Sequence, residues 1–112
     1  MVTDLKYLRQ MTGDNAEIMK EMIDMFLTQL TETSVELESL YENGNCLELS
    51  RLAHKIKSSA LVMGAEQMAQ NMIDLEKWAK ENVPQSEKCK TAIREFHVLS
   101  VEVRKELEEQ LK

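Results

Sequence analysis

The sequence has little with which to turn a chain sharply: its 112 residues include three Gly and one Pro, and aromatics make up only 4%. All-β domains spend Gly and Pro on closely spaced turns, so the composition argues against that class. Cations are the minority charge, 14 Lys and Arg against 20 Asp and Glu. The resulting net charge of −6 makes the molecule as a whole repel nucleic acid and anionic membrane surfaces. No apolar run approaches the roughly 20 residues of a membrane span, and the N-terminus lacks the apolar stretch of a secretory signal. Cys46 and Cys89 stand far apart with no CxxC or Cys/His metal spacing. Spacing leaves a disulfide open, but two reduced thiols in a cytoplasmic protein is the favoured reading.

Motifs for chemistry are scarce as well. No GxxxxGK[ST] or GxGxxG loop is present to cradle a nucleotide phosphate. A di-iron site in a helical bundle needs Glu-x-x-His pairs, whereas the residues three before His54 and His97 are Arg51 and Arg94. Neither HExxH nor a zinc pattern occurs. The expectation is a protein with no metal and no cofactor of its own.

What is present is helical. Apolar residues form 43% of the chain, enough for a core, and Leu, Met, Ala, Glu, Lys and Gln dominate, the residues that lose least on entering a helix. Periodicity predicts a short helix over 4–11, with Leu5, Leu8 and Met11 on one face. Asp14 with Glu17 reads as the capped start of a helix over 14–42, either kinked or divided near Thr31–Ser34. Asn43-Gly44-Asn45 is a turn, with Asn45 as N-cap and Glu48 as its N3 acid. A helix over 46–63 stops at Gly64, another runs over 65–81, and Asn82-Val83-Pro84 separates it from a last helix over 86–111. Met19, Met22, Met68 and Met72 fall at core spacing, and Glu102 to Glu109 reads as a solvated face. Short connections between amphipathic helices predict an all-α, antiparallel up-and-down four-helix bundle with an additional short N-terminal helix, a single domain over 1–112.

Against that frame His54 stands out. At about 100° per residue, Leu49, Leu52, Ile56 and Met63 form one stripe, widened by Ala53, Ser59 and Ala60, and His54 lies opposite it. Ser50, Arg51, Lys57 and Ser58 stand three and four residues away, so an exposed imidazole is ringed by cations and hydroxyls. Neutral imidazole, with a reference pKa of about 6.5, is a good nitrogen nucleophile, able to take an activated phosphoryl group as a phosphoramidate. Lys57 is placed to meet a phosphoryl oxygen, Ser58 leaves the approach open, and Arg51 is a candidate phosphate or partner contact. Leu47 and Leu61, on the same face, suggest a docking rim. Lys55 reads as solvated at the edge of the patch. Glu76 is a candidate to orient Lys57 across two helices, or an ordinary exposed glutamate. His97 reads as a surface or boundary residue.

The run Ala53-His54-Lys55-Ile56-Lys57-Ser58-Ser59-Ala60, followed by Met63-Gly64-Ala65, resembles the signature of histidine-containing phosphotransfer (HPt) domains. Leu75-Glu76 is similar to a Leu-Glu pair on that family's following helix, and Phe26 to an aromatic on an earlier one. The resemblance spans essentially the whole chain. It implies a phosphorelay intermediate in which His54 takes a phosphoryl group from a receiver-domain aspartate and passes it to another. The partners implied are response-regulator receivers and a sensor or hybrid histidine kinase, with Mg²⁺ supplied by the receiver, and the carrier is expected to be monomeric. The family's lysine maps onto Lys57 and its turn glycine onto Gly64, while Ser58 stands where the family usually has Gly. The alternative is a helical adaptor that binds a partner without covalent chemistry.

Overall fold

The computed structural model describes residues 1–81 and 86–112. Every regular element among them is a helix: α1 (Lys6–Thr12), α2 (Ala16–Glu42), α3 (Cys46–Val62), α4 (Glu66–Lys80) and α5 (Glu87–Gln110). The expected all-α class therefore holds. The stop at Asn82-Val83-Pro84 lies outside the described residues.

Local chemistry sets the boundaries. Asn45 caps α3 by accepting from the Glu48 N–H at 3.3 Å, as its spacing predicts, and Ser86 caps α5 by accepting from Cys89 N–H at 3.2 Å. The α2 cap differs from the sequence expectation by one residue. Asn15, not Asp14, accepts from the Ile18 N–H, at 3.0 Å. The turn out of α1 uses two consecutive left-handed residues, Gly13 (φ +62°) and Asp14 (φ +61°). Asp tolerates that region better than most residues, and its place in the turn moves the capping position along by one.

Helix α2 is one element of 27 residues, with no division at Thr31–Ser34. The weak helix formers there are accommodated on the helix itself: Thr31 and Ser34 donate their hydroxyls to the carbonyls of Leu27 and Leu30, while Thr33 is buried. Tertiary packing overrides propensity at these positions.

One cluster of buried side chains draws on all five helices, from Leu5 and Leu8 through Phe26, Leu30, Ile56, Met68, Met72 and Phe96 to Leu107. Met19 and Met22 pack against it partly buried. Met11, read from the sequence as part of an apolar face, is exposed, as are Met25 and Val35 on α2. Helix α3 packs most extensively on α4, α4 packs on α5, and α2 touches both α3 and α5. The small buried residues Ala53 and Ala60 on α3, with Ala69 on α4, permit that close approach.

The acidic segment of α5 is more than a solvated face. The Glu106 carboxylate accepts from the backbone N–H groups of Val2 and Thr3 at 2.7 and 3.0 Å and from the Thr3 hydroxyl at 2.7 Å. Arg104 donates to the Leu27 carbonyl and the Thr31 hydroxyl on α2. These partners lie more than 70 positions away along the chain, which is why local charge pattern did not disclose them. Among the described residues no helix is long and apolar enough to cross a membrane.

Candidate functional site

Helix α3 turns its apolar residues Leu49, Leu52, Ala53, Ile56 and Ala60 inward, and the same rotation leaves His54 exposed, with 59% of its side chain accessible. Its phase is as the sequence predicts. Across from it, α4 contributes Glu76, whose side chain is only 16% exposed. Both Glu76 carboxylate oxygens lie 3.2 Å from His54 Nδ1. Lys80, one turn further along α4, places its Nζ 3.1 Å from Glu76 Oε2. Lys57 Nζ stands 3.5 Å from His54 Nδ1.

These contacts fix the protonation pattern. Burial alone would raise Glu76, but hydrogen bonds and charge from Lys80 and His54 outweigh it and hold the carboxyl below its usual range. An ionised carboxylate only accepts, so His54 Nδ1 carries a hydrogen and donates it to Glu76. In a neutral ring, the lone pair is then on Nε2, at the other edge of an exposed imidazole. With Nδ1 occupied as a donor, Lys57 cannot also donate to it. Its ammonium stands beside the ring as a local positive charge.

The other predicted residues divide. Leu47 and Leu61 are exposed on α3, as a rim requires. Ser58 is exposed and its hydroxyl reaches the His54 backbone carbonyl at 3.5 Å, turned to the helix and not to the imidazole. Arg51 pairs with Glu48 at 2.7 Å on the same helix, and Lys55 is exposed. Gly64 is not beside His54. It ends α3 with φ +64°, and a Cβ there would collide with the backbone of Asp4. Ser50, grouped by sequence with the exposed hydroxyls, is buried and donates to the Glu76 carbonyl at 3.4 Å. It holds α3 against α4 at the level of the site. His97 sits at a boundary, its Nε2 2.9 Å from Glu38 Oε1.

The sequence offered Glu76 either as a residue orienting Lys57 or as an ordinary exposed glutamate, and it did not single out Lys80; the structure places Glu76 on His54. The available signal for Lys80 was its i,i+4 relation to Glu76. The inter-helix register that brings Glu76 to His54 has no local signature.

A family model for the Hpt domain matches residues 21–111, nearly the whole chain and all of α3 and α4. The chain belongs to the Hpt domain family. Hpt domains are phosphocarrier modules of two-component signalling, not catalysts in themselves, and in general they meet receiver domains and histidine kinases. Comparison with curated proteins and with solved structures gave no match. The matched span contains His54, Lys57, Glu76 and Lys80, so the residues brought together at the α3–α4 surface belong to the Hpt portion of the chain.

Proposed function

We propose that this Hpt domain is a phosphorelay intermediate in which His54 accepts a phosphoryl group from a receiver-domain aspartate and passes it to a second receiver. The observation that carries the reading is the Glu76 carboxylate on His54 Nδ1, with both oxygens at 3.2 Å. It holds the neutral ring in the tautomer whose free nitrogen is Nε2, on an imidazole open to a partner.

In the forward step the Nε2 lone pair forms the N–P bond. The aspartyl P–O bond breaks, and its electron pair leaves with the receiver carboxylate. No proton has to move, because the hydrogen stays on Nδ1, bonded to the Glu76 carboxylate, and the phosphorylated ring is an imidazolium. That form is the better leaving group, so the reverse chemistry toward a second aspartate remains open. Lys57 balances charge on the incoming phosphoryl oxygens, and the exposed Leu47, Leu61 and Arg51 meet the partner's surface. Mg²⁺ is supplied by the receiver.

The carrier is a single domain in which α2–α5 form an up-and-down antiparallel bundle. In support, contacts link α2 to α3, α3 to α4, α4 to α5 and α5 back to α2. Along α2 and α5 the cross-helix partners run in opposite directions, Glu38 with His97 and Thr31 with Arg104.

Incubation with a phosphorylated receiver and Mg²⁺ tests the reading. The expected result is an acid-labile, base-stable label on the wild type and none on a folded His54→Gln variant. Equal labelling of the variant overturns it.

A further inference from the structure

The reaction needs two opposed properties from one ring. The Nδ1 proton must stay while the phosphoryl group is carried, or the leaving group becomes a poor one. Yet a proton held too firmly leaves the N–P bond permanently prone to attack by water. The balance depends on how much of the Glu76 charge is directed at His54, and that carboxylate is shared. Its Oε2 lies 3.2 Å from His54 Nδ1 and 3.1 Å from Lys80 Nζ.

Resting on the phosphoacceptor reading above, we propose that Lys80 is a positioning residue that acts on His54 through Glu76. By drawing on one oxygen of the shared carboxylate, it limits how firmly that carboxylate holds the Nδ1 proton. It thereby sets how readily the phosphorylated ring gives up its phosphoryl group. The Lys80 ammonium is bonded to Glu76 and not to the imidazole. The Lys80 end of this i,i+4 pair lies in solvent, and such pairs add only a few tenths of a kcal/mol to a helix, so an intact fold is expected when Lys80 is changed. The effect belongs to the chemistry of the ring.

The other charges around His54 have their own places. Its own helix carries Lys57 at 3.5 Å from Nδ1, Arg51 engaged with Glu48, and exposed Lys55. Helix α4 carries Glu76, Lys80 and exposed Lys77. The groove between α2 and α3 is lined by Met22, Met25, Phe26, Gln29, Ser59, Val62 and Met63, none of which is charged. Among these groups Lys80 is the cation bonded to the carboxylate that accepts the ring proton.

The step to follow is hydrolysis of the loaded ring: water attacks phosphorus, the N–P bond breaks with its electron pair returning to Nε2, and inorganic phosphate leaves. It is fast while Nδ1 is protonated and slows as that proton is lost. The full chain is loaded with phosphoramidate, a small phosphoryl donor that releases ammonia, so no cognate receiver is needed. Phosphohistidine decay is then followed by ³¹P NMR across pH in wild type, Lys80→Met, Glu76→Gln and the double variant. With Lys80→Met the pH at which decay slows rises, giving about two- to threefold faster decay on the alkaline side, equivalent to a shift of up to about half a pH unit. Glu76→Gln moves that pH downward, and adding Lys80→Met to it changes nothing further. A Lys80→Met profile identical to wild type overturns the proposal. So does a Lys80→Met effect that persists undiminished in the Glu76→Gln background, which makes Lys80 a direct phosphate contact. If wild type fails to load at His54, the phosphoacceptor reading fails, a result distinct from either.

Discussion

At the scale of single residues, the site turns on which nitrogen of one imidazole keeps its hydrogen. Glu76 accepts at Nδ1 and leaves the lone pair of the neutral ring on Nε2, the nucleophile of the proposed transfer. In Glu76→Gln the amide can present either its oxygen or its NH₂ to the ring, and the charge is lost. One charge-assisted hydrogen bond of about 1.5 kcal/mol corresponds to roughly a tenfold effect. Phosphoryl acceptance from a receiver is therefore expected to fall about tenfold in this variant, with the helical content unchanged. Single-turnover transfer rates check this, and a rate equal to wild type contradicts it. The exposure of His54, Leu47 and Leu61 was legible in the sequence because helical phase alone decides it. Ser50 was not, for it lies where α3 meets α4 and its fate depends on which helix covers that edge. Glu76 was visible as a residue but not as a partner of His54, since 22 positions and a turn separate them.

At the scale of elements, the ends of α3 set where the site stands. Asn45 fixes the start, and Asn45→Ala is expected to cost about 1 kcal/mol in urea unfolding. Gly64 fixes the end, and it is constrained twice. Its φ of +64° disfavours any side chain by about 1–2 kcal/mol, and a Cβ would also strike the Asp4 backbone. That contact accompanies the bond from Asp4 N–H to the Met63 carbonyl at 3.2 Å, so the N-terminal segment would be displaced too. Gly64→Ala is thus expected to destabilise by more than about 2 kcal/mol, while phosphoryl acceptance per folded molecule stays near wild type. Loss of acceptance in fully folded Gly64→Ala protein would instead place Gly64 at the reacting groups. The turns at Gly44 and Gly64 and the cap at Asn45 were legible because each depends on a few adjacent residues. The continuity of α2 was not, because it rests on a buried Thr33 and on Arg104, which arrives from the other end of the chain.

At the scale of the whole molecule, long-range bonds tie the ends together and make stability depend on pH. Burial would raise the Glu106 carboxyl, but hydrogen bonds from Val2 and Thr3, with the nearby N-terminal charge, hold it below its ordinary 4.5. Glu76 is lowered as well. A carboxyl whose folded pKa lies below its unfolded value stabilises the fold above that unfolded value, and the contribution is lost as pH falls through the folded one. Stability should therefore be level above about pH 5 and decline below about 4.5, with Glu106→Gln removing part of the decline in urea titrations at successive pH values. An unchanged acid limb in that variant contradicts the clamp.

Both cysteines are free and buried, and burial pushes the Cys89 thiol upward. Maleimide should consequently label Cys89 only as fast as the fold opens, and immediate labelling would contradict the packing at the start of α5. The all-helical class was legible in the composition and the helical periodicity. The clamp by Glu106 was not, since it joins residues more than 100 positions apart.

The measurement that bears most directly on the account is heteronuclear ³¹P–¹⁵N NMR on imidazole-labelled protein, phosphorylated by a receiver in the presence of Mg²⁺. One phosphorus coupled to Nε2 of His54, with Nδ1 still protonated, is expected, and no such signal in His54→Gln. Phosphorus on Nδ1, or on any other residue of the folded protein, would contradict it.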